Sequence, residues 1–212
     1  MIIAEIGWNF LGDMSLAKKM IDDAKDAKCK YIKFQLWDPK FLKPGEWDND
    51  GRREIYNKAY LDEQKYEELY NYCLSKDLVC FASIFNESGF DILSKFSREH
   101  IKIPSLEAYD MNIIKKSLDN FDNVLLSTGA LQYDELKKIE DFKNCENLTV
   151  LHCVSSYPLE YENSNFSKFF YLKDRFKKVG YSGHCKGVDD AIFAISNGAV
   201  AVEKHFTSDN NL

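Results

Sequence analysis

A chain of 212 residues, 45% of them hydrophobic and 14% aromatic, carries enough apolar side chain for one packed domain and is not a disordered segment. Its formal net charge of -6, with no basic stripe anywhere, excludes a general nucleic-acid binder, although a local group of lysines could still hold a small anion. No apolar run approaches the length of a membrane span, which excludes an integral helical membrane protein.

Met1 leads straight into an apolar strand without a basic and hydrophobic leader, so no signal peptide is expected. The six cysteines (Cys29, Cys73, Cys80, Cys145, Cys153 and Cys185) show neither CxxC nor framework spacing and read as reduced thiols. A cytoplasmic protein with no membrane partner is the expectation.

In chain order, short β-rich runs alternate with amphipathic segments. Ile2 to Ile6 reads as the first strand, followed by a helix capped at Ser15 with Leu16, Met20, Ile21 and Ala24 on one face. Tyr31 to Gln35 is the second strand. A long aromatic loop with Trp37, Trp47, Arg52 and Arg53 leads to a helix capped by Asp62, with Tyr66, Leu69, Tyr70 and Cys73 inward. Leu78 to Ser83 is the third strand, and Phe90, Leu93 and Phe96 mark its helix. His100 to Ser105 is the fourth, then a helix around Ile113, Ile114 and Leu118. Asn123 to Ser127 is the fifth, with Tyr133, Leu136, Ile139 and Phe142 after it. Leu148 to Cys153 is the sixth, with Phe169, Leu172 and Phe176 on its helix. Val179 to Ser182 is the seventh, with a helix through Val188, Ala191, Ile192 and Ile195, and Ala199 to His205 is the eighth.

Eight strands separated by seven helices imply a parallel sheet with right-handed crossovers, closed as an α/β (β/α)8 TIM barrel that forms a single domain over 1–212. An open doubly wound sheet would need a glycine-rich phosphate loop after an early strand, and none is present. The chain stops about seven residues after the eighth strand, so the last helix is expected to be lacking. A partner subunit or further chain is then expected to cover the gap.

Barrel active sites gather at the C-terminal ends of the strands. Those ends carry Glu5, Lys33 and Gln35, Ser83, Lys102 with Ser105 and Glu107, Ser127 and Thr128, Ser155 and Tyr157, Ser182 and His184, and Glu203 and His205. Alternate strand residues share a face. Lys33, between Ile32 and Phe34, and Lys102, between Ile101 and Ile103, therefore face inward. Buried lysines need counter-charge. Two of them among serine hydroxyls point to phosphate, against the plainer alternative that each pairs with Glu5 or Glu107 in a core salt bridge. His184 and His205, on neighbouring strand ends beside Glu203 and Glu5, form a candidate metal site. His152 falls on the opposite parity and is expected to face the helices. His100 opens its strand at the stability end, and Cys153 and Cys185 are expected to be inert.

Several segments together resemble the N-acetylneuraminate (sialic acid) synthase family. They are Ile3-Ala4-Glu5-Ile6-Gly7, Ile32-Lys33-Phe34-Gln35, Lys102 to Glu107, Leu126-Ser127-Thr128-Gly129, Leu151-His152-Cys153 with Ser156-Tyr157-Pro158, Gly180 to His184, and Glu203 to Thr207. The resemblance implies condensation of phosphoenolpyruvate with an N-acetylated hexosamine, N-acetylmannosamine or a related bacterial amino sugar. The products are a nonulosonic (sialic-type) acid and phosphate. It implies a divalent metal at His184 and His205, manganese with magnesium or cobalt as alternatives. It places phosphoenolpyruvate at Lys33, Ser83, Lys102, Ser105, Ser127, Ser155 and Ser182. Glu107 would manage water or protonation, and Glu5, Gln35 and Tyr157 would line the sugar site. It also implies a homodimer or other oligomer, because the family's C-terminal antifreeze-like domain, absent from this sequence, closes a partner's active site.

The departures fall mostly on the sugar half. Trp8-Asn9-Phe10-Leu11-Gly12 replaces an Asn-His-Asn-Gly-like turn, Ser105-Leu106-Glu107 a Ser-Gly-Glu turn, Ala82-Ser83-Ile84-Phe85 a Ser-Thr-Pro-Phe turn, and Gly183 the Asp of Ser-Asp-His. Two other readings follow: a non-catalytic or partial barrel that binds phosphoenolpyruvate or sugar and needs a partner chain, and a Schiff-base aldolase using Lys33 or Lys102.

Overall fold

Strands and helices alternate along the chain. The structure, a computed structural model, describes residues 1–42 and 44–209, with Trp47 described through its backbone alone. The expectation for the Trp47 side chain and the end of the 1–212 domain therefore lie outside the described residues. The strands are β1 (Ile2–Glu5), β2 (Tyr31–Leu36), β3 (Val79–Ile84), β4 (His100–Ile103), β5 (Asn123–Ser127), β6 (Leu148–Cys153), β7 (Val179–Gly183) and β8 (Val202–His205). The helices are α1 (Met14–Asp26), α2 (Arg52–Lys58), α3 (Glu63–Ser75), α4 (Glu87–Phe96), α5 (Met111–Asn120), α6 (Tyr133–Ile139), α7 (Phe166–Lys173) and α8 (Asp189–Ser196). The strands follow one another in chain order around a closed barrel, and every named pairing is parallel. This is the (β/α)8 architecture that the alternation of elements predicts.

Local physics explains where these elements begin and what they bury. The cap of α1 is Asp13 rather than Ser15, because its carboxylate accepts from the Ser15 and Leu16 N–H groups at 2.8 and 3.1 Å. A carboxylate at the positive end of a helix is favoured over a hydroxyl inside the first turn. Asp62 caps α3 as expected, accepting from the Lys65 N–H. The stretch that reads as loop around Arg52 and Arg53 forms the short helix α2. The helix expected through Val188, Ala191, Ile192 and Ile195 is α8, but of these only Ala191 is buried, with Asp190 and Ala194, whereas the capping Val188, Ile192 and Ile195 are exposed. Strand β8 starts at Val202, three residues later than its composition suggests. Among the described residues no helix follows β8.

The chain folds as two compact units: Ile3–Ser97 with the residues from His205 onward, and Met1–Ile2 with Arg98–Lys204. In the first, β1, β2 and β3 pair so that Glu5 lies opposite Lys33 and Gln35 opposite Ser83. Ile32 and Phe34, on the other face, are fully buried, and Phe34 meets the edge of Phe10. In the second, β4 to β8 pair so that Lys102 lies opposite Leu125, Ser127 opposite Leu151, Cys153 opposite Ser182 and Ser182 opposite Glu203. His152 and Tyr181 lie opposite one another on the outer face.

Candidate active site

The unit built on β4 to β8 gathers most of the predicted groups. Lys102, 3% exposed, donates from Nζ to both carboxylate oxygens of Glu203, at 2.8 and 3.1 Å, and Ser182 Oγ donates to Glu203 Oε1 at 3.0 Å. The sequence offers Glu107 or Glu5 as the counter-ion of Lys102, and its partner is instead Glu203. The register explains the substitution, because Lys102 and Glu203 both project from the inner face of the sheet, whereas Glu107 lies beyond β4 in the 3-10 turn Ser105–Glu107. Ser127 Oγ is buried with no hydrogen-bond partner among the described residues. A buried hydroxyl left in that state is costly, and it marks a place where a ligand oxygen would be rewarded.

A second cluster adjoins this one through Cys153, which lies opposite Ser182 in the sheet. Gly129 donates its N–H to Ser105 Oγ at 3.0 Å. A methyl group added at Gly129 would come to 2.6 Å from Ser155 Oγ, 2.8 Å from Ser105 Oγ and 3.0 Å from Cys153 Sγ. Two hydroxyls and a thiol thus crowd the Gly129 backbone, whose N–H is spent on holding Ser105 Oγ in place. His184 lies at the end of β7. Its Nδ1 is 2.7 Å from the Val154 carbonyl oxygen, and the exposed ring of Tyr157 lies 4.0 Å from its own. A carbonyl only accepts, so Nδ1 carries the proton and Nε2 the lone pair. Burial holds the His184 pKa below the ordinary histidine value. Cys153 is buried, and burial raises its thiol pKa, which agrees with an inert cysteine.

The unit built on β1 to β3 carries the remaining groups. Lys33, 1% exposed, pairs with the Glu5 carboxylate and donates to Ser83 Oγ. The core salt bridge considered for Lys33 is therefore present, and Ser83 shares the ammonium. A methyl added at Gly7, whose φ is +59°, would meet Glu5 Oε1 at 3.2 Å, Gln35 Nε2 at 3.6 Å and His205 Cε1 at 3.7 Å. Gly7 therefore marks the spot where Glu5, Gln35 and the exposed His205 converge, and only glycine takes that backbone conformation without strain. Asn9, from the altered turn, donates to the Phe206 carbonyl at 2.8 Å. Trp8, Trp37, Tyr56 and Phe85 form a continuous aromatic cluster after these strands.

Three features of the site are not legible in the sequence as sites. Lys168 is buried and donates to the Thr128 and Leu131 carbonyls at 2.6 and 2.7 Å. Nothing in its neighbourhood of sequence separates it from a surface lysine. Asp190 is buried beneath the Tyr181 hydroxyl, at 3.0 Å, and the Lys204 ammonium, at 2.9 and 3.0 Å. A methyl at Gly183 would lie 2.6 Å from Asp190 Oδ2, so a larger residue there would displace the carboxylate. The close packing of Ser105 and Ser155 on Gly129 is visible beforehand only as the small residue of Ser127-Thr128-Gly129. His152 behaves as predicted: it is fully buried, Nε2 lies 2.8 Å from the Ser164 carbonyl, and Phe166, Phe169 and Tyr181 surround it.

The sequence of residues 20–212 matches the NeuB family model. The chain belongs to the NeuB family. This NeuB-family chain is 30% identical to the N,N'-diacetyllegionaminic acid synthase of Campylobacter jejuni, over 100% of this chain and 69% of that protein. It is 32% identical to the pseudaminic acid synthase of the same organism, over 100% of this chain and 66% of that protein. It thus spans about two thirds of the length of these relatives. A crystal structure of the N-acetylneuraminic acid synthetase of Leptospira borgpetersenii, in complex with citrate, superposes with a TM-score of 0.86 at 31% identity, covering 99% of this chain and 74% of that one. Among the described residues no helix is long and apolar enough to cross a membrane.

Proposed function

We propose that this NeuB-family barrel condenses phosphoenolpyruvate with the open-chain aldehyde of an N-acetylated hexosamine, giving a nonulosonic acid and inorganic phosphate. The observation that carries the reading is the pair of hydroxyls at Gly129, where the Gly129 N–H holds Ser105 Oγ beside Ser155, in the same unit as the Lys102–Glu203 pair and the Ser127 hydroxyl, which has no hydrogen-bond partner among the described residues. Hydroxyls and an ammonium together are a phosphate's complement. The names of two relatives, an N,N'-diacetyllegionaminic acid synthase and a pseudaminic acid synthase, support an amino sugar as the second substrate.

In this reaction C3 of phosphoenolpyruvate bonds to the aldehyde carbon, water adds at C2, and the C2–O bond to phosphorus breaks as phosphate leaves. Ser105, held by the Gly129 N–H, and Ser155 bind the phosphoryl oxygens, with Ser127, Ser182 and Lys102 in the same unit. In the β1–β3 unit, Lys33 and Ser83 are the residues that the family resemblance assigns to phosphoenolpyruvate. Glu107 manages the water and the proton at the tetrahedral carbon, and Glu5, Gln35 and Tyr157 orient the sugar. The donor chemistry of His184 suits a divalent ion, because a ligating imidazole usually gives its other N–H to a carbonyl or carboxylate, as His184 does to Val154. Among the described residues no cage of three or more His, Cys, Asp or Glu side chains is assembled. By the family resemblance His184 and His205 are the residues that would hold a divalent ion. Such an ion, manganese by the family resemblance, would polarise the aldehyde as a Lewis acid.

One observation favours a second reading, a barrel that binds but does not turn over: both inner lysines are already paired with carboxylates. The assay that separates the two measures phosphate release by the manganese-loaded protein from phosphoenolpyruvate with a panel of N-acetylated hexosamines. Turnover with any sugar supports the synthase. Thermal stabilisation by phosphoenolpyruvate without turnover supports the binding barrel.

A further inference from the structure

Lys168 is a buried charge to which the proposed reaction gives no role. It lies in the first turn of α7, 6% exposed, and among the described residues no carboxylate closes an ion pair on it. A buried ammonium ion without a close counter-charge is costly; Glu135 acts on this one only at longer range, and the first turn of a helix is the wrong end for a cation. Burial holds its pKa below the ordinary lysine value. Its hydrogen bonds go to the Thr128 and Leu131 carbonyls. These two residues close the turn that carries Gly129, through a 3.1 Å bond from the Leu131 N–H to the Thr128 oxygen. Thr128 is further tied to β6, donating from both N and Oγ1 to the Leu151 carbonyl at 3.1 Å. The turn is therefore fixed on one side by the sheet and on the other by the ammonium. Between these ties it presents the Gly129 N–H to Ser105 Oγ.

We propose that Lys168 is a positioning residue for the phosphate site, pinning the 128–131 turn so that the Gly129 N–H holds Ser105 Oγ, beside Ser155, at the angle a phosphoryl oxygen needs. This inference rests on the reading of these hydroxyls as the phosphate site of the proposed reaction.

The test compares the whole chain with Lys168→Met, Lys168→Gln and Lys168→Arg, using inorganic phosphate and phosphoenolpyruvate as probes. Arginine keeps the charge and the donors, glutamine keeps a donor without the charge, and methionine keeps neither. The KM for phosphoenolpyruvate is expected to rise about tenfold or more in Lys168→Met, the loss typical of a charge-assisted contact, while kcat changes by less than about threefold. Lys168→Gln should fall between, and Lys168→Arg should stay nearest to the parent protein. Phosphate-induced thermal stabilisation should shrink in the same order. If Lys168→Met does not fold, Lys168→Gln decides. An unchanged KM and an unchanged phosphate shift in the folded variants, whatever their melting temperatures, would make Lys168 purely structural and overturn the inference while the parent's turnover leaves the reaction standing. A parent protein with neither turnover nor protection by phosphate or phosphoenolpyruvate would overturn both.

Discussion

Gly129 is packed closely enough for one methyl group to decide what its neighbours can do. In Gly129→Ala the new methyl would meet three side-chain ends, the nearest at 2.6 Å. Serine hydroxyls can rotate away from it, so the fold should survive with a melting temperature near the parent's. Their aim at a phosphoryl oxygen would not survive. The KM for phosphoenolpyruvate in the phosphate-release assay should rise by at least about tenfold, roughly the value of one charge-assisted hydrogen bond. An unchanged KM would show that these hydroxyls are not the phosphate site. His152 supports a prediction about stability rather than ligand. Burial lowers its pKa to about 4, below the ordinary value of 6.5. In the unfolded chain the imidazole therefore takes its proton first as pH falls. Its contribution to stability is complete above pH 6.5 and is lost between about 6.5 and 4, amounting to about 3 kcal/mol at most. Denaturant melts at about pH 7 and about pH 4.5 should show this slope in the parent chain and a flatter one in His152→Gln. At this scale the sequence is informative about direction and silent about partners. The parity of Ile101-Lys102-Ile103 puts Lys102 inside, but the choice of Glu203 over Glu107 depends on which strands face each other across the sheet's inner surface, far apart in the chain.

Among the elements, α8 shows how one buried polar network overrides apolar periodicity. Its sequence leads one to expect a helix through Val188, Ala191, Ile192 and Ile195, yet the helix turns Asp190 inward. Asp190 there meets the Tyr181 hydroxyl from β7 and the Lys204 ammonium from β8, and Lys204 also donates to the Cys185 carbonyl at 2.9 Å. With Asp190, Ala191 and Ala194 committed to the sheet, Ile192 and Ile195 must point outward, at 55% and 47% exposure. Periodicity alone cannot reveal this, because it treats an aspartate as a surface residue. The network ties α8 to the ends of β7 and β8, beside Ser182, His184 and Glu203. Breaking it from one side leaves a partly buried ammonium without its carboxylate. Asp190→Ala should therefore cost about 3 kcal/mol, and the melting temperature should fall by roughly 6–12 °C. Adding Lys204→Met should recover part of that loss. No recovery in the double variant would mean that Asp190 acts through packing alone. The caps are easier to read: Asp62 before α3 stands out in the sequence, and the difference at α1 is between two capping residues two positions apart.

On the scale of the whole molecule, the alternation of strand and helix is legible because each element carries its own periodicity. The closed order of the eight strands follows from right-handed crossovers between neighbours. What the alternation leaves out is why the inner face of such a sheet holds ions. In the β4–β8 unit the Lys102–Glu203 pair is 4% and 7% exposed at its side chains, with the Ser182 hydroxyl bonded to the same carboxylate. Burying two charges costs several kcal/mol each, and their attraction returns about that much when the geometry is good. A pair of this kind contributes little net stability while it lasts, and its presence in a packed interior is better explained by what it binds. The proposed function makes that binding a phosphoenolpyruvate site, so stability and activity should separate cleanly. Lys102→Met alone leaves a buried carboxylate unpaired and should destabilise the chain by about 3–5 kcal/mol. Lys102→Met with Glu203→Leu and Ser182→Ala removes the charges and the hydroxyl that served them, and should return to within about 1 kcal/mol of the parent or exceed it. Stabilisation by phosphoenolpyruvate, about 2.7 kcal/mol for the parent at a ligand concentration about 100 times the Kd, should vanish in the triple variant. Denaturant melts with and without ligand measure both effects. A triple variant that is no more stable than Lys102→Met would show the ion pair to be part of the fold's own support, and one that still gains stability from phosphoenolpyruvate would move the binding site elsewhere.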